Sequence, residues 1–389
     1  MKVFTKTIIL LSLVSMFTDI SSEMLYPVMP MFLKSIGFSV IWIGILEGIA
    51  EATAGFSKGY FGKLSDLTGK RVLFVRLGYG LSSLAKPAMA LIAHPLWVLF
   101  SRTVDRLGKG IRTSARDAIL SSESSPENKG KVFGLHRAAD TLGAAIGPAL
   151  ALLYLVFFPG NYIHLFYIAF IPAVLGVVLT FTLNDSIVKP GITKFNTGFF
   201  SFLGYWNTAT YNYKRLVIGL LIFVLVNSSD MFLLLMLKHK GFADTWVIGA
   251  YIFYNLIYAL TSTPIGYLGD KIGLKMTFIL GLVCFTLVYL GFGFASSIEQ
   301  FLVLFFIYGL YAAATEGISK AWISNIAKKD ETATAIGFFN SFQSVGTLIS
   351  SVTAGLLWQY ISPTTPFFIS GVLSILIVIY FIGFVRAER

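Results

Sequence analysis

The sequence predicts an all-α integral membrane protein, with about twelve transmembrane helices in two pseudo-symmetric six-helix halves. Three observations predict it. Hydrophobic residues make up 56% of the 389 residues and charged residues 13%, with a mean hydropathy of +0.77, too apolar for a soluble chain of this length. Apolar runs of about 20 residues, the length that crosses roughly 30 Å of hydrocarbon, recur from end to end. The loop after the second run returns 204 positions later with the same pattern.

The runs fall at about 7–33, 41–62, 72–93, 96–120, 131–157, 162–183, 214–237, 245–268, 275–295, 300–325, 333–360 and 366–385. They divide the chain into an N-terminal bundle (1–183), a cytoplasmic interfacial linker (184–213) and a C-terminal bundle (214–389). Lys and Arg in short loops stay on the cytoplasmic side. Lys63, Lys70, Arg71, Lys129, Lys131, Lys214, Arg215, Lys271, Lys275, Lys328 and Lys329 fall on one side if both termini share it, against mainly Lys34, Lys238 and Lys240 on the other. Both termini are therefore expected in the cytoplasm, and a bacterial inner (plasma) membrane is the expected location. The net charge of +11 reads as this topology plus a charged helix. No basic soluble domain is present to take a nucleic acid.

In the first span Ser15, Asp19, Ser22, Glu23 and Tyr26 share one helical face, and Pro27 and Pro30 should bend its outer part. Asp19 and Glu23 interrupt the apolar core and no small-residue cleavage site follows, so this stretch reads as a span rather than a signal peptide. Glu47, Glu51 and Lys58 occupy one face of the second span. That face reads either as pathway lining or as ion pairs that only fix packing. The fourth span is the most charged: Arg102, Asp105, Arg106, Lys109, Arg112, Arg116 and Asp117 recur near the helical period. They form a stripe of roughly 21 Å at about 1.5 Å per residue. Charge inside a bilayer is costly, so such a stripe must face water or counter-charges within a bundle. Arg106 and Lys109 are expected to face a central cavity, with Arg112 leaning toward the first or fifth helix. Arg137 and Asp140 add charge to the fifth span.

The loop Gly62-Lys63-Leu64-Ser65-Asp66-Leu67-Thr68-Gly69-Lys70-Arg71 matches Gly266-Tyr267-Leu268-Gly269-Asp270-Lys271-Ile272-Gly273-Leu274-Lys275 in the pattern G-x-L-x-D-x-x-G-x-K/R. The glycines permit a tight turn, and the aspartate can accept hydrogen bonds from a neighbouring helix N-terminus. Arg71 is expected to reach Asp117. Further echoes are Ser21-Ser22-Glu23-Met24 with Ser228-Ser229-Asp230-Met231, Gly110-Ile111 with Gly317-Ile318, and Gly134 and Gly143 with Gly337 and Gly346. Such a parallel repeat places the functional site near the membrane midplane. The linker mixes Lys189-Pro190-Gly191 with Phe195, Phe199, Phe200, Phe202, Tyr205 and Trp206, which suits a segment lying on the inner membrane surface. In the second half Asn227 and Asp230 share a face of the seventh span, and Glu316 and Lys320 stand at i, i+4 in the tenth. Tyr251, Phe253, Tyr254, Tyr258, Tyr308 and Tyr311 read as cavity lining or, for most of them, packing. Cys284, inside a span, reads as packing.

Twelve spans, cytoplasmic termini and the duplicated loop together resemble the major facilitator superfamily over essentially the whole chain. Gly143-Ala144-Ala145-Ile146-Gly147-Pro148 is similar to the G-x-x-x-G-P motif of that superfamily's antiporters, although Ala149-Leu150-Ala151 replaces the glycines that often follow. The resemblance implies alternating access between two halves of one monomeric chain, with Gly62, Asp66, Gly69, Arg71, Asp117, Gly266, Asp270 and Gly273 as gating residues.

No nucleophile paired with a general base, no metal-ligand cluster and no phosphate-cradling loop is evident, and His94, His136, His164 and His239 are scattered. The chain therefore reads as a non-enzyme without a cofactor. A non-transporting receptor or scaffold would explain the helices but not the charges at mid-membrane. A secondary transporter explains both. Its substrate is a small molecule, and Arg106, Lys109, Arg112 and Arg137 slightly favour an anionic or zwitterionic one. If Asp19, Glu23, Glu51 and Asp140 neutralise those cations, proton-antiport efflux of drugs or other amphipathic compounds fits instead. Metal export is a weaker third reading, because clustered His or Cys ligands are missing. Asp19 and Glu23, two carboxylates on one buried face, are the expected proton-coupling pair, with Glu51 and Asp140 beside them.

Overall fold

The computed structural model describes residues 3–26, 28–29, 32–33, 36–37, 40–185 and 198–385. Its long helices are α1 (Lys6–Leu25), α2 (Val40–Thr68), α3 (Arg71–Leu91), α4 (Pro95–Ser122), α5 (Lys129–Phe157), α6 (Tyr162–Thr180), α7 (Tyr211–Val226), α8 (Met231–His239), α9 (Asp244–Ile272), α10 (Leu274–Phe294), α11 (Ile298–Ile326), α12 (Thr332–Tyr360) and α13 (Thr365–Phe384). No strand occurs among the described residues. The bend expected at Pro27 and Pro30 and the linker stretch from Lys189 to Phe195 lie outside them, as does the side chain of Glu47.

Seven segments are apolar and long enough to cross a membrane by composition alone: α1, α5, α6, α7 with α8, α10, α11 and α13. The other long helices, α2, α3, α4, α9 and α12, carry the charged or hydroxyl-rich faces that lower their hydropathy. Together these segments are the twelve spans.

The chain groups into two compact units. One holds Met1–Glu123, Ala139–Thr208 and Lys328–Ser344, the other Ser124–Ala138, Ala209–Ala327 and Val345–Arg389. The units interleave in the sequence: residues 129–138 of α5 group with the second unit, and residues 332–344 of α12 with the first.

In the first unit α4 packs along α2 and α3, and α1 along α6. The apolar core there includes Met24, Leu25, Phe32, Met89, Val98 and Phe166, with the Phe32 and Phe166 rings 4.8 Å apart. Gly143 and Gly147 bring α5 against α1. A Cβ at either would lie 2.5 Å from a carbonyl oxygen, that of Met16 or of Ile20. The G-x-x-x-G spacing thus makes a close helix contact that sets α5 directly beside Asp19 and Glu23. The described end of the linker packs on the same unit: Phe199 meets Tyr60 at 5.2 Å and Trp206 stacks on Phe338 at 5.7 Å.

In the second unit α10 packs on α11 and α13, and α9 on α11. Aromatic rings fill much of this core, including Phe285 stacked on Tyr289 at 4.0 Å. The seventh span, expected as one run over 214–237, is broken: α7 ends at Val226 and α8 starts at Met231. Asn227, Ser228, Ser229 and Asp230 are poor helix formers, and other helices satisfy the backbone groups that the break releases. Ser370 Oγ donates to the Val226 carbonyl at 2.7 Å, Ser350 Oγ to that of Asn227 at 2.9 Å, and the Ser229 N–H donates to Ser351 Oγ at 3.2 Å. Irregular backbone is tolerated at membrane depth only when it is satisfied in this way.

Candidate functional site

The α4 stripe divides into committed and available charges. Asp105 is held by two cations, Arg102 Nη1 at 3.4 Å and Lys86 Nζ of α3 at 3.5 Å. Lys86, one charge in an otherwise apolar stretch, was not singled out by sequence patterning; it is 1% exposed. Arg112 leans onto α3 rather than toward α1 or α5. Its Nη1 donates to Ser82 Oγ at 2.8 Å, and its guanidinium lies 4.5 Å from the centre of the Tyr79 ring. The reason is a glycine pair: a Cβ on Gly78 would sit 2.6 Å from the Gly108 carbonyl oxygen, so α3 and α4 approach closely beside Tyr79. Arg116 Nη2 pairs with Asp117 Oδ1 at 3.0 Å. Its Nη1 donates to Ser15 Oγ at 2.9 Å, and Ser15 donates in turn to Asp140. This chain ties α4, α1 and α5 together.

Arg106 and Lys109 differ from these. Arg106 Nη1 lies 3.3 Å from Glu51 Oε1 of α2, and the Glu51 side chain is 52% exposed. Lys109 is exposed as well. Asp19 and Glu23 are partly buried on α1. The charges acting on Asp19 include Asp140, Glu23, Lys109 and Arg112, and those acting on Glu23 include Lys109, Arg106, Arg102 and Asp140. Within this unit, then, two carboxylates stand close to a cationic face.

Arg137 is not part of that cluster. It belongs to the second unit, where its Nε donates to Tyr258 Oη and its Nη2 lies 3.8 Å from Glu316 Oε2. Glu316, read from sequence beside Lys320 on its own helix, thus reaches across to α5. The same unit contains an acid that sequence patterning did not place in the candidate site: Asp230, at the break between α7 and α8. Tyr308 Oη donates to its Oδ1 and Tyr254 Oη to its Oδ2, both at 2.6 Å.

The duplicated loops end α2 and α9. Gly69 and Gly273 have φ of +69° and +95°, a region that L side chains rarely adopt. Gly62 is needed for close approach, since a Cβ there would lie 2.5 Å from the Ala333 carbonyl oxygen. On the other repeat, a Cβ on Gly130 would lie 2.5 Å from the Gly266 carbonyl oxygen. Asp66 Oδ2 accepts from the N–H of Thr334 at 2.7 Å and from its hydroxyl at 2.9 Å. Asp270 accepts from the N–H groups of Gly130 at 2.7 Å and Lys131 at 2.8 Å. Each aspartate therefore binds the first turn of a long helix, α12 or α5. Arg71 was expected at Asp117 but pairs with Asp66 at 2.8 Å. It also donates to the Lys329 carbonyl at 3.1 Å, because Asp117 is already taken by its neighbour Arg116. Both loop aspartates lie beyond the apolar runs of their helices. Burial pushes the Asp66 carboxyl up to about 6 against the pull of Arg71 and Thr334, and burial likewise pushes Asp270 up to about 6. A cavity of about 310 Å³ opens beside Asp66, lined in part by Lys63, Tyr205, Asp330 and Glu331.

Comparison with known proteins bears on the whole chain. The sequence profile of the Major Facilitator Superfamily matches residues 11–254 and 242–389. An uncharacterized MFS-type transporter of Methanocaldococcus jannaschii is 35% identical over 378 residues, covering 96% of this chain and 93% of that one. A homolog of the multi-drug resistance efflux pump PmrA from Lactococcus lactis is 22% identical over 357 residues, covering 89% and 86%. Among solved structures, the human organic anion transporter MFSD10 superposes with a TM-score of 0.77 at 16% identity, over 96% of this chain and 98% of that one.

Proposed function

The chain belongs to the major facilitator superfamily and is a multi-pass secondary transporter, and from that premise we propose that it carries a small molecule with an anionic group, coupled to protons. The observation that carries this reading is the division of the α4 cations. Arg102, Arg112 and Arg116 are buried against fixed partners. Arg106 is balanced by Glu51, whose carboxylate is half in water, and Lys109 is open. With the Arg106 side chain 11% and the Glu51 side chain 52% exposed, the pair is open on the Glu51 side and is held less firmly than a fully buried one, so a carboxylate or phosphate on the substrate can take the place of Glu51 at the Arg106 fork. Asp19 and Glu23, next to the same cations, are the proposed proton carriers: a proton arriving there offsets charge released or bound at Arg106 and Lys109. Asp66 and Asp270 are proposed as latches whose grip on α12 and α5 biases the conformational equilibrium. The positions of Lys and Arg support cytoplasmic termini in a plasma membrane, and one chain is the proposed working unit.

Export of amphipathic compounds in exchange for protons is the second reading. Glu51 already neutralises Arg106, and the relatives include a homolog of a multi-drug efflux pump. One experiment separates the two. Purified protein is screened for thermal stabilisation by carboxylates and phosphates and by amphipathic cations, because a ligand of the folded state raises apparent stability. The lead compound is then measured on Arg106→Lys. Under the anion reading, carboxylates or phosphates stabilise the wild type and Arg106→Lys, which keeps the charge but loses the planar fork, binds them roughly tenfold more weakly. Unchanged anion affinity in the folded variant removes Arg106 from the site. Stabilisation by amphipathic cations alone favours the efflux reading.

A further inference from the structure

The break between α7 and α8 places a carboxylate in an unusual setting. Asp230 is partly open to its surroundings, and both of its oxygens accept phenolic O–H groups, from Tyr308 and from Tyr254. Among the described residues no Lys, Arg or His stands within ion-pair distance of it. The polar groups around it are neutral: Asn227 Nδ2 donates to Tyr311 Oη at 2.9 Å, and Tyr289 Oη donates to Asn227 Oδ1 at 3.4 Å. The repeat makes this setting informative. Asp230 is the counterpart of Glu23 in the echo Ser21-Ser22-Glu23-Met24 and Ser228-Ser229-Asp230-Met231, yet the nearby charges at Glu23 include Lys109, Arg106 and Arg102. One repeat supplies its acid with cations, and the other supplies tyrosines.

A carboxylate held at membrane depth without a counter-charge is costly to keep, and such groups usually mark a pathway. We propose that Asp230, with Tyr254 and Tyr308, is a binding site for the cationic head of an organic molecule. Each carboxylate oxygen has accepted one phenol and keeps a lone pair and a share of the negative charge for a cationic head, whether or not that head carries an N–H. The rings add a second attraction, because the faces of tyrosines draw cations, most of all weakly hydrated organic ones. Tyr254 and Tyr308 are set at 68° with centroids 5.3 Å apart, and Tyr251 meets Tyr254 edge-on at 5.5 Å. A bare metal ion would fit poorly, since the phenols spend their protons on Asp230 and offer few further oxygens. Discontinuous helices recur at the substrate and ion sites of transporters, near the membrane midplane.

The proposal does not rest on the anion reading of α4. Its test is equilibrium binding of two probes, tetramethylammonium and tetraphenylphosphonium, to the full-length protein in detergent, with folding checked by thermal unfolding. The wild type should bind at least one of them saturably, and Asp230→Asn should weaken that binding at least tenfold. Tyr254→Phe with Tyr308→Phe keeps both rings and removes both phenols, and should weaken it roughly three- to tenfold by loosening the carboxylate. Carboxylate affinity, read in a separate measurement on wild type and Arg106→Lys, reports on the α4 reading alone, so that a failure of that reading is seen separately. Two results overturn the proposal: no saturable binding of either probe to the wild type, or binding to folded Asp230→Asn within threefold of wild type. If Asp230→Asn does not fold, the double phenylalanine variant decides, and unchanged binding there overturns it equally.

Discussion

The loops at Asp66 and at Asp270 share one pattern and divide its work differently. In both, a glycine with positive φ turns the chain, and an aspartate binds the first turn of a distant helix. The last position of the pattern diverges. Arg71 turns back to Asp66 and makes a buried ion pair, with side chains 3% and 4% exposed. Lys275 turns away and donates to the carbonyls of Ile382 and Val385 at 3.0 and 2.6 Å, capping the end of α13. Asp270 is instead held by two backbone N–H groups. A repeated motif therefore fixes a turn and an acceptor, while its basic residue serves whichever unsatisfied group lies nearest. The two sites should differ in what they cost to lose.

The largest effect is expected for Asp66→Asn. It leaves the Arg71 guanidinium buried without its carboxylate, a change that costs about 3–5 kcal/mol when one partner of a buried pair is removed. Chemical or thermal unfolding in detergent measures it. Asp270→Asn strands no arginine, and the amide oxygen still accepts one of the two N–H groups, so the expected loss is about 1 kcal/mol. Equal losses at the two sites would break the distinction drawn between them. A larger loss at Asp270 would reverse it.

Much of this arrangement is legible in the sequence, because it is carried by local periodicity and composition. The spans show as apolar runs, the stripe of α4 as charges at the helical period, and the repeat as two matching loops. What the sequence hides depends on partners far along the chain. The break at Asn227 to Asp230 looks like continuous span, since the residues on either side are apolar and the serines that satisfy it come from α12 and α13. Lys86 passes as an isolated charge until α3 is laid against Asp105. The direction of Arg112 is decided by two glycines on different helices, and neighbouring charges on its own helix do not reveal it. Arg71 had two acids to choose from, and only the pairing of Arg116 with Asp117 shows which one remained.

The smallest expected effect is a pH dependence, and it tests whether the loops reach similar acidities by different balances. Both carboxyls are pushed up to about 6, chiefly by burial, from an unfolded value of about 3.9. Between those values the folded protein binds more protons than the unfolded chain, so stability falls as pH rises there. Each contribution is fully present below about 3.9 and is lost as pH rises through about 6. The cavity beside Asp66 gives bulk protons a way in. The unfolding temperature of the wild type, measured against Asp66→Asn or Asp270→Asn, should therefore shift in favour of the wild type as pH falls from about 7.5 to 5. A single proton limits each slope to about 1.4 kcal/mol per pH unit, and partial solvent exposure makes the share of Asp270 the smaller one. Arg71→Gln sharpens the test. Removing the cation that pulls the Asp66 carboxyl down should move its transition above pH 6, while Asp270, which has no arginine, keeps its own. If both transitions move together, or neither moves, Arg71 does not set the balance at Asp66.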